Sequence, residues 1–124
     1  MELITIKHIK EFIEAGDFEL QPTQKKICLP IIQRISQKMQ MGVEFDNINI
    51  NEGLLINGHH RYVCCLLLHK KFGTNPWPRP SQITIYQWSE IQIDLHDWET
   101  IEMIERHNIR DADKSGFDIK AFGI

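Results

Sequence analysis

Ile48-Asn49-Ile50-Asn51-Glu52-Gly53-Leu54-Leu55-Ile56-Asn57-Gly58-His59-His60-Arg61-Tyr62-Val63-Cys64-Cys65-Leu66-Leu67-Leu68 is the stretch that organises this chain. Ile48 and Ile50 alternate with Asn49 and Asn51, the pattern of a half-buried strand. Glu52-Gly53 marks a turn, and Leu54-Leu55-Ile56 is long enough for a buried second strand. Asn57-Gly58 breaks the run. Tyr62 to Leu68 is continuously apolar and predicts a mostly buried helix, with His59, His60 and Arg61 on its first turn. A helix start offers unpaired N–H groups and the positive end of the helix dipole, which together attract anions. Gly58 admits a ligand close to the backbone, and Arg61 brings a planar, permanently charged fork that suits phosphate. Asn-Gly is equally a tight-turn dipeptide. Neighbouring helical histidines point about 100° apart, so a structural role for His59 and His60 stands beside a phosphate-binding one.

Working outward, Leu3, Ile4 and Ile6 predict a first strand. Ile9, Phe12 and Ile13 predict a short amphipathic helix that stops at Gly16. Phe18 and Leu20 run extended into Pro22. A helix is expected from Ile27 to Met41, with Ile31, Ile32, Ile35 and Met39 as its core stripe, Pro30 in its first turn and Gly42 as its stop. After the central helix, Gly73 is the expected cap. Asn75-Pro76-Trp77-Pro78-Arg79-Pro80 reads as a stiff loop whose tryptophan either meets a base or partner or packs as a lid. Ile83, Ile85 and Gln87 predict another strand. Asp94 to His107 predicts a helix with Leu95, Trp98, Ile101 and Ile104 on one side and Asp94 or Asp97 as cap. The remaining tail, 108–124, is expected as an extended strap or a segment that orders with a partner.

The chain has 124 residues, 14 basic and 17 acidic. That fits one domain with a core sufficient for folding, and it gives no overall basic field for nucleic acid. Cys28, Cys64 and Cys65 have no metal or redox spacing, so buried, reduced thiols and a cytoplasmic location are expected. No apolar run suggests a membrane span or signal segment. His59, His60, His69, His96 and His107 lack zinc spacing, and no Walker-type phosphate loop is present. Glu52 is open to two readings, a magnesium ligand or base and a solvated turn residue.

Leu54-Leu55-Ile56-Asn57-Gly58-His59-His60-Arg61-Tyr62 with an apolar helix behind it resembles the ParB/sulfiredoxin superfamily, in which a strand ends in Gly before a short polar motif closing in Arg. Gln21-Pro22-Thr23-Gln24-Lys25-Lys26 is similar to that superfamily's upstream P-T-Q element, and the two motifs stand in the family's order. The resemblance covers about residues 1–90 and implies an α+β fold, a mixed sheet flanked by helices. Residues 94–124 would then be a C-terminal helix and tail outside the family core. His59 stands where sulfiredoxins carry their nucleophilic cysteine, which argues against sulfinic acid reduction. The partitioning members carry a helix-turn-helix DNA-binding domain behind the motif, whereas a short, acidic stretch follows it here, so segregation by this chain alone is not expected.

The resemblance implies binding of a nucleotide di- or triphosphate with Mg2+, or of a phosphorylated small molecule. Gly58, His60 and Arg61 would hold phosphate, with Gln24 and Lys25 on the rim. His59, His60 and Glu52 are the candidates for catalysis, in phosphoryl transfer or phosphodiester cleavage of the ParB-like nuclease kind. The alternative is a catalytically idle module, an accessory or immunity-type protein, that meets a protein partner through the Trp77 loop and the C-terminal tail.

Overall fold

The computed structural model describes residues 2–16 and 18–123. In chain order its elements are α1 (Ile6–Ala15), β1 (Gln21–Pro22), β2 (Lys26–Cys28), α2 (Leu29–Met41), β3 (Ile48–Asn51), β4 (Leu54–Asn57), α3 (His59–Leu67), β5 (Thr74–Pro76), β6 (Gln92–Asp94) and α4 (Ile101–Ser115). Short 3-10 turns lie at Trp88–Glu90 and Ile119–Phe122. The fold is mixed α and β, as the α+β expectation requires.

The organising stretch folds as its pattern says. β3 and β4 pair antiparallel through a turn in which Glu52 and Gly53 have φ of 45° and 80°. Two positive φ values match the twist of a tight hairpin. β1 joins β4 in parallel and β5 joins β3 in parallel, giving the sheet order β1-β4-β3-β5. A second, two-stranded sheet pairs β2 with β6. Helices α2 and α3 pack together, and Ile27, Ile32, Ile48, Leu55, Tyr62 and Cys64 are almost wholly removed from water. The phenol of Tyr62 accepts the Leu20 N–H at 3.2 Å, and the Trp88 indole N–H donates to the Leu20 carbonyl at 2.8 Å. These two bonds fix the chain that leads into β1. Cys28, Cys64 and Cys65 are free and buried, and burial pushes the Cys64 and Cys65 thiols up, away from the reactive thiolate.

Several boundaries differ from the sequence expectation. No strand forms over Leu3, Ile4 and Ile6. Thr5 caps α1 by accepting from the His8 N–H, while His8 Nδ1 accepts the Thr5 N–H, a reciprocal box that starts the helix early. The expected helix from Ile27 begins at Leu29, because Lys26–Cys28 is taken by β2. Within its stripe Ile32 and Met39 are buried, whereas Ile31 and Ile35 are half-buried. Gly73 does not cap α3. His69 takes the left-handed turn at φ 53°, and the Gly73 carbonyl accepts from Ile48 at the entrance to β5. The proline-rich loop is partly strand, and its Trp77 N–H reaches the Ile50 carbonyl at 2.9 Å.

The strand over Ile83 to Gln87 is absent; the Tyr86 N–H donates instead to the Pro22 carbonyl, ahead of a 3-10 turn. The helix expected from Asp94 starts only at Ile101, capped by Thr100 rather than by Asp94 or Asp97. Asp97 is drawn away by Arg34, and the Asp94 carboxylate accepts from the Trp98 indole. Consequently Leu95 and Ile101 are 63% and 73% exposed, not members of one packed stripe. The tail is not an extended strap: α4 continues to Ser115, Gly116 ends it at φ 73°, and Ile119–Phe122 forms a 3-10 turn. Ile124, the last residue of that expected strap, lies outside the described residues.

Candidate functional site

Gly58 makes the site possible. It sits at φ 93° between β4 and α3, and its carbonyl accepts the first helical bond, from the Tyr62 N–H at 2.8 Å. The N–H groups of His59, His60 and Arg61 therefore head the helix without partners inside it. The Arg61 guanidinium folds back over Gly58: a Cβ at position 58 would lie 2.7 Å from Arg61 Nη2. Arg61 Nη1 donates to the Asp46 carbonyl at 3.1 Å.

The two histidines bind backbone. The Thr23 N–H donates to His59 Nε2 at 3.0 Å, and the Cys28 N–H donates to His60 Nε2 at 2.9 Å. Thr23 Oγ1 also donates to the Leu55 carbonyl at 2.7 Å. The upstream Pro22-Thr23-Gln24 element and the His59-His60 motif, distant in sequence, are thus one unit. Burial holds both imidazoles neutral, lowering each from its ordinary value to about 4. With Nε2 already accepting, neither ring keeps a free lone pair for a proton. In this structure His59 and His60 thus tie the start of α3 to the backbone at Thr23 and Cys28.

Glu52 is remote from the start of α3. It occupies the hairpin turn at the far end of β4, about 13 Å of strand from Gly58 at the usual rise per residue, and does not line the cleft. Lys25 is exposed and meets Gln92 through its backbone carbonyl, so it too is outside. Gln24 is at the rim, its side chain donating to the Lys26 carbonyl at 2.6 Å.

Gly58, His59, His60, Arg61 and Gln24 open on a cleft of about 560 Å3, with Ile31 and Ile35 on one wall. Much of the remaining wall comes from residues that the sequence pattern did not flag. Arg34 and Lys38 are one turn apart on α2, in register with Ile31, and this spacing is the signal that could have found them. Helix α4 supplies His107, Asn108, Arg110, Asp111 and Lys114, with Glu99 just ahead of it. Lys38 Nζ meets Asp111 Oδ2 at 2.7 Å, with side chains 8% and 6% exposed, and lies 5.0 Å over the Phe122 ring. Arg34 bonds Asp97 through both terminal nitrogens and Glu99 through one, and that contact holds the Asp97 carboxyl below its usual range. Lys114 pairs with the Asp46 carboxylate and lowers it likewise.

Among the described residues no group of three or more His, Cys, Asp and Glu side chains is placed to hold a metal ion. Among them, too, no helix is long and apolar enough to cross a membrane. Compared with known proteins, the chain matches no family model, no curated protein and no solved structure.

Proposed function

We propose that this chain is a ParB/sulfiredoxin-like domain whose cleft binds the phosphates of a nucleotide or phosphorylated small molecule, with phosphoryl transfer or phosphodiester hydrolysis as its chemistry. One observation carries the reading: the helix start behind Gly58 and the Arg61 guanidinium, which no described carboxylate pairs, open on one cleft. Helix-start amides and guanidinium forks both suit phosphate. The bond between Thr23 and His59 supports the family reading, because it joins the two motifs on which the resemblance rests. A magnesium ion would arrive on the nucleotide's own phosphates, with Glu44 and Asp46 as the carboxylates at the rim.

Thermal shift with ATP, ADP and pyrophosphate, with and without magnesium, tests this. A ligand at a hundred times its Kd stabilises the fold by about 2.7 kcal/mol, a rise of several degrees in Tm. Arg61→Ala should remove that rise, and Arg61→Lys should reduce it because a point charge does not reproduce the fork. No shift with any of the three, or an equal shift in Arg61→Ala, contradicts the reading.

A second reading, the accessory or immunity-type binding module, is favoured by one specific feature. Leu95, Trp98 and Ile101 are 63%, 37% and 73% exposed ahead of and at the start of α4, and Trp77 is 46% exposed. Such a module would be indifferent to Arg61 and sensitive to these apolar residues.

A further inference from the structure

The cleft contains one imidazole that is not occupied in holding backbone. His107, on the second turn of α4, lines the cleft with Gly58 and Arg61, and its side chain is 37% exposed. Its Nδ1 lies 2.9 Å from Glu99 Oε2. This ion-pair contact sets a carboxylate beside one ring nitrogen and leaves Nε2, on the other side of the ring, clear of it. No described residue hydrogen-bonds that Nε2. Glu99 is itself held: Arg34 Nη2 donates to its Oε1 at 2.6 Å, and its backbone N–H donates to Asp97 Oδ1 at 3.0 Å. Trp98, beside it, meets the His60 ring edge-on at 5.3 Å, which brings this assembly to the start of α3.

Asn108, the next residue along, also lines the cleft. It is 2% exposed, and its Oδ1 has no hydrogen-bond partner among the described residues. A buried acceptor without a donor costs stability.

We infer that His107 is the general base of this cleft, with Glu99 as its positioning residue and Arg34 holding Glu99. The inference rests on the phosphate-binding reading. In the step assigned to it, His107 Nε2 takes the proton of an attacking hydroxyl, either water or an acceptor alcohol. The hydroxyl oxygen bonds to phosphorus as the bond from phosphorus to the leaving oxygen breaks. The electron pair departs on that leaving oxygen, which regains a proton from His107 or from solvent. Glu99 stabilises the imidazolium formed in between.

The test combines two arms on the full chain. Turnover is followed with magnesium ATP, by phosphate release, and with bis(4-nitrophenyl) phosphate, by nitrophenolate release. Binding of pyrophosphate is followed by calorimetry. General bases contribute about 10²- to 10⁴-fold, so His107→Ala should lower kcat at least about a hundredfold while pyrophosphate affinity changes less than about twofold. Added imidazole should restore part of that loss, which it would not do for a structural defect. Glu99→Gln should lower kcat with KM nearly unchanged. Should His107→Ala fold poorly, His107→Gln, which keeps a donor toward Glu99, should show the same loss of turnover. Turnover in either His107 variant within about threefold of wild type overturns the inference. So does a wild type that binds pyrophosphate but turns over neither probe, and in that case the anion site stands without the base. A wild type that binds no pyrophosphate overturns the anion site, and the base falls with it.

Discussion

Asp111→Ala should lower the free energy of unfolding by about 3–5 kcal/mol, the usual result of stripping one partner from a buried ion pair. The reason lies at Lys38. Its ammonium and the Asp111 carboxylate are each less than a tenth exposed and meet at 2.7 Å. Without Asp111 the lysine stays buried beside the Phe122 ring with no countercharge and must either lose its proton or open the junction between α2 and α4. Domains of this size are stable by only about 5–15 kcal/mol, so the variant should be partly unfolded at physiological temperature. Replacing both residues, Lys38→Met with Asp111→Leu, should recover most of the loss, since an apolar pair of similar volume removes the desolvation problem altogether. Urea denaturation of wild type, single and double variants reads this directly. A single-variant loss under about 1 kcal/mol would mean that water reaches the pair and that α4 is only loosely seated on the cleft.

The second large effect is loss of stability in mild acid. His59 and His60 each titrate near 4 in the fold, against 6.5 for an ordinary histidine, chiefly because they are buried. The unfolded chain therefore binds protons between pH 6.5 and 4 that the folded chain refuses. Stability is full above pH 6.5 and falls as pH drops through that window, by up to about 3 kcal/mol per histidine. The two rings feel one another, so their effects should combine to less than the sum. Asp46 and Asp97, whose carboxyls are depressed by Lys114 and Arg34, add their own loss only below their ordinary value of 3.8. Unfolding midpoints at pH 7, 5.5 and 4.5 should thus decline well before the carboxylates titrate. His60→Gln, which keeps an acceptor for the Cys28 N–H, should flatten the decline. A pH-independent midpoint between 7 and 4.5 would show that the histidines are not neutral struts.

What the sequence made legible follows from how local the signal was. Ile48 to Leu67 was legible because each step is encoded within a few residues: alternation for β3, Glu52-Gly53 for the turn, Gly58 for the break, and an apolar run for α3. Helix stops at Gly16 and Gly42 were legible for the same reason, and both take left-handed φ. The three-residue strands β2 and β6 were not, since each is held by a partner more than sixty residues away rather than by its own pattern. Asp97 has the chemistry of a cap, and only its distant partner Arg34 shows that it is an ion-pair residue. The site followed the same rule. The place of Gly58 and Arg61 at a helix start was legible from motif and order, whereas the occupation of both Nε2 atoms by the amides of Thr23 and Cys28 depends on tertiary contacts. The contact between His107 and Glu99 was not legible, because eight residues separate them and the helix was expected to begin too early.

The most direct test of the phosphate-binding reading is a crystal structure of the chain grown with millimolar pyrophosphate. One phosphate should lie against the backbone N–H groups of His59, His60 and Arg61, with the Arg61 guanidinium turned off Gly58 and within hydrogen-bond distance of a phosphate oxygen. Pyrophosphate bound only elsewhere, or a cleft without it and Arg61 still folded over Gly58, would contradict the reading.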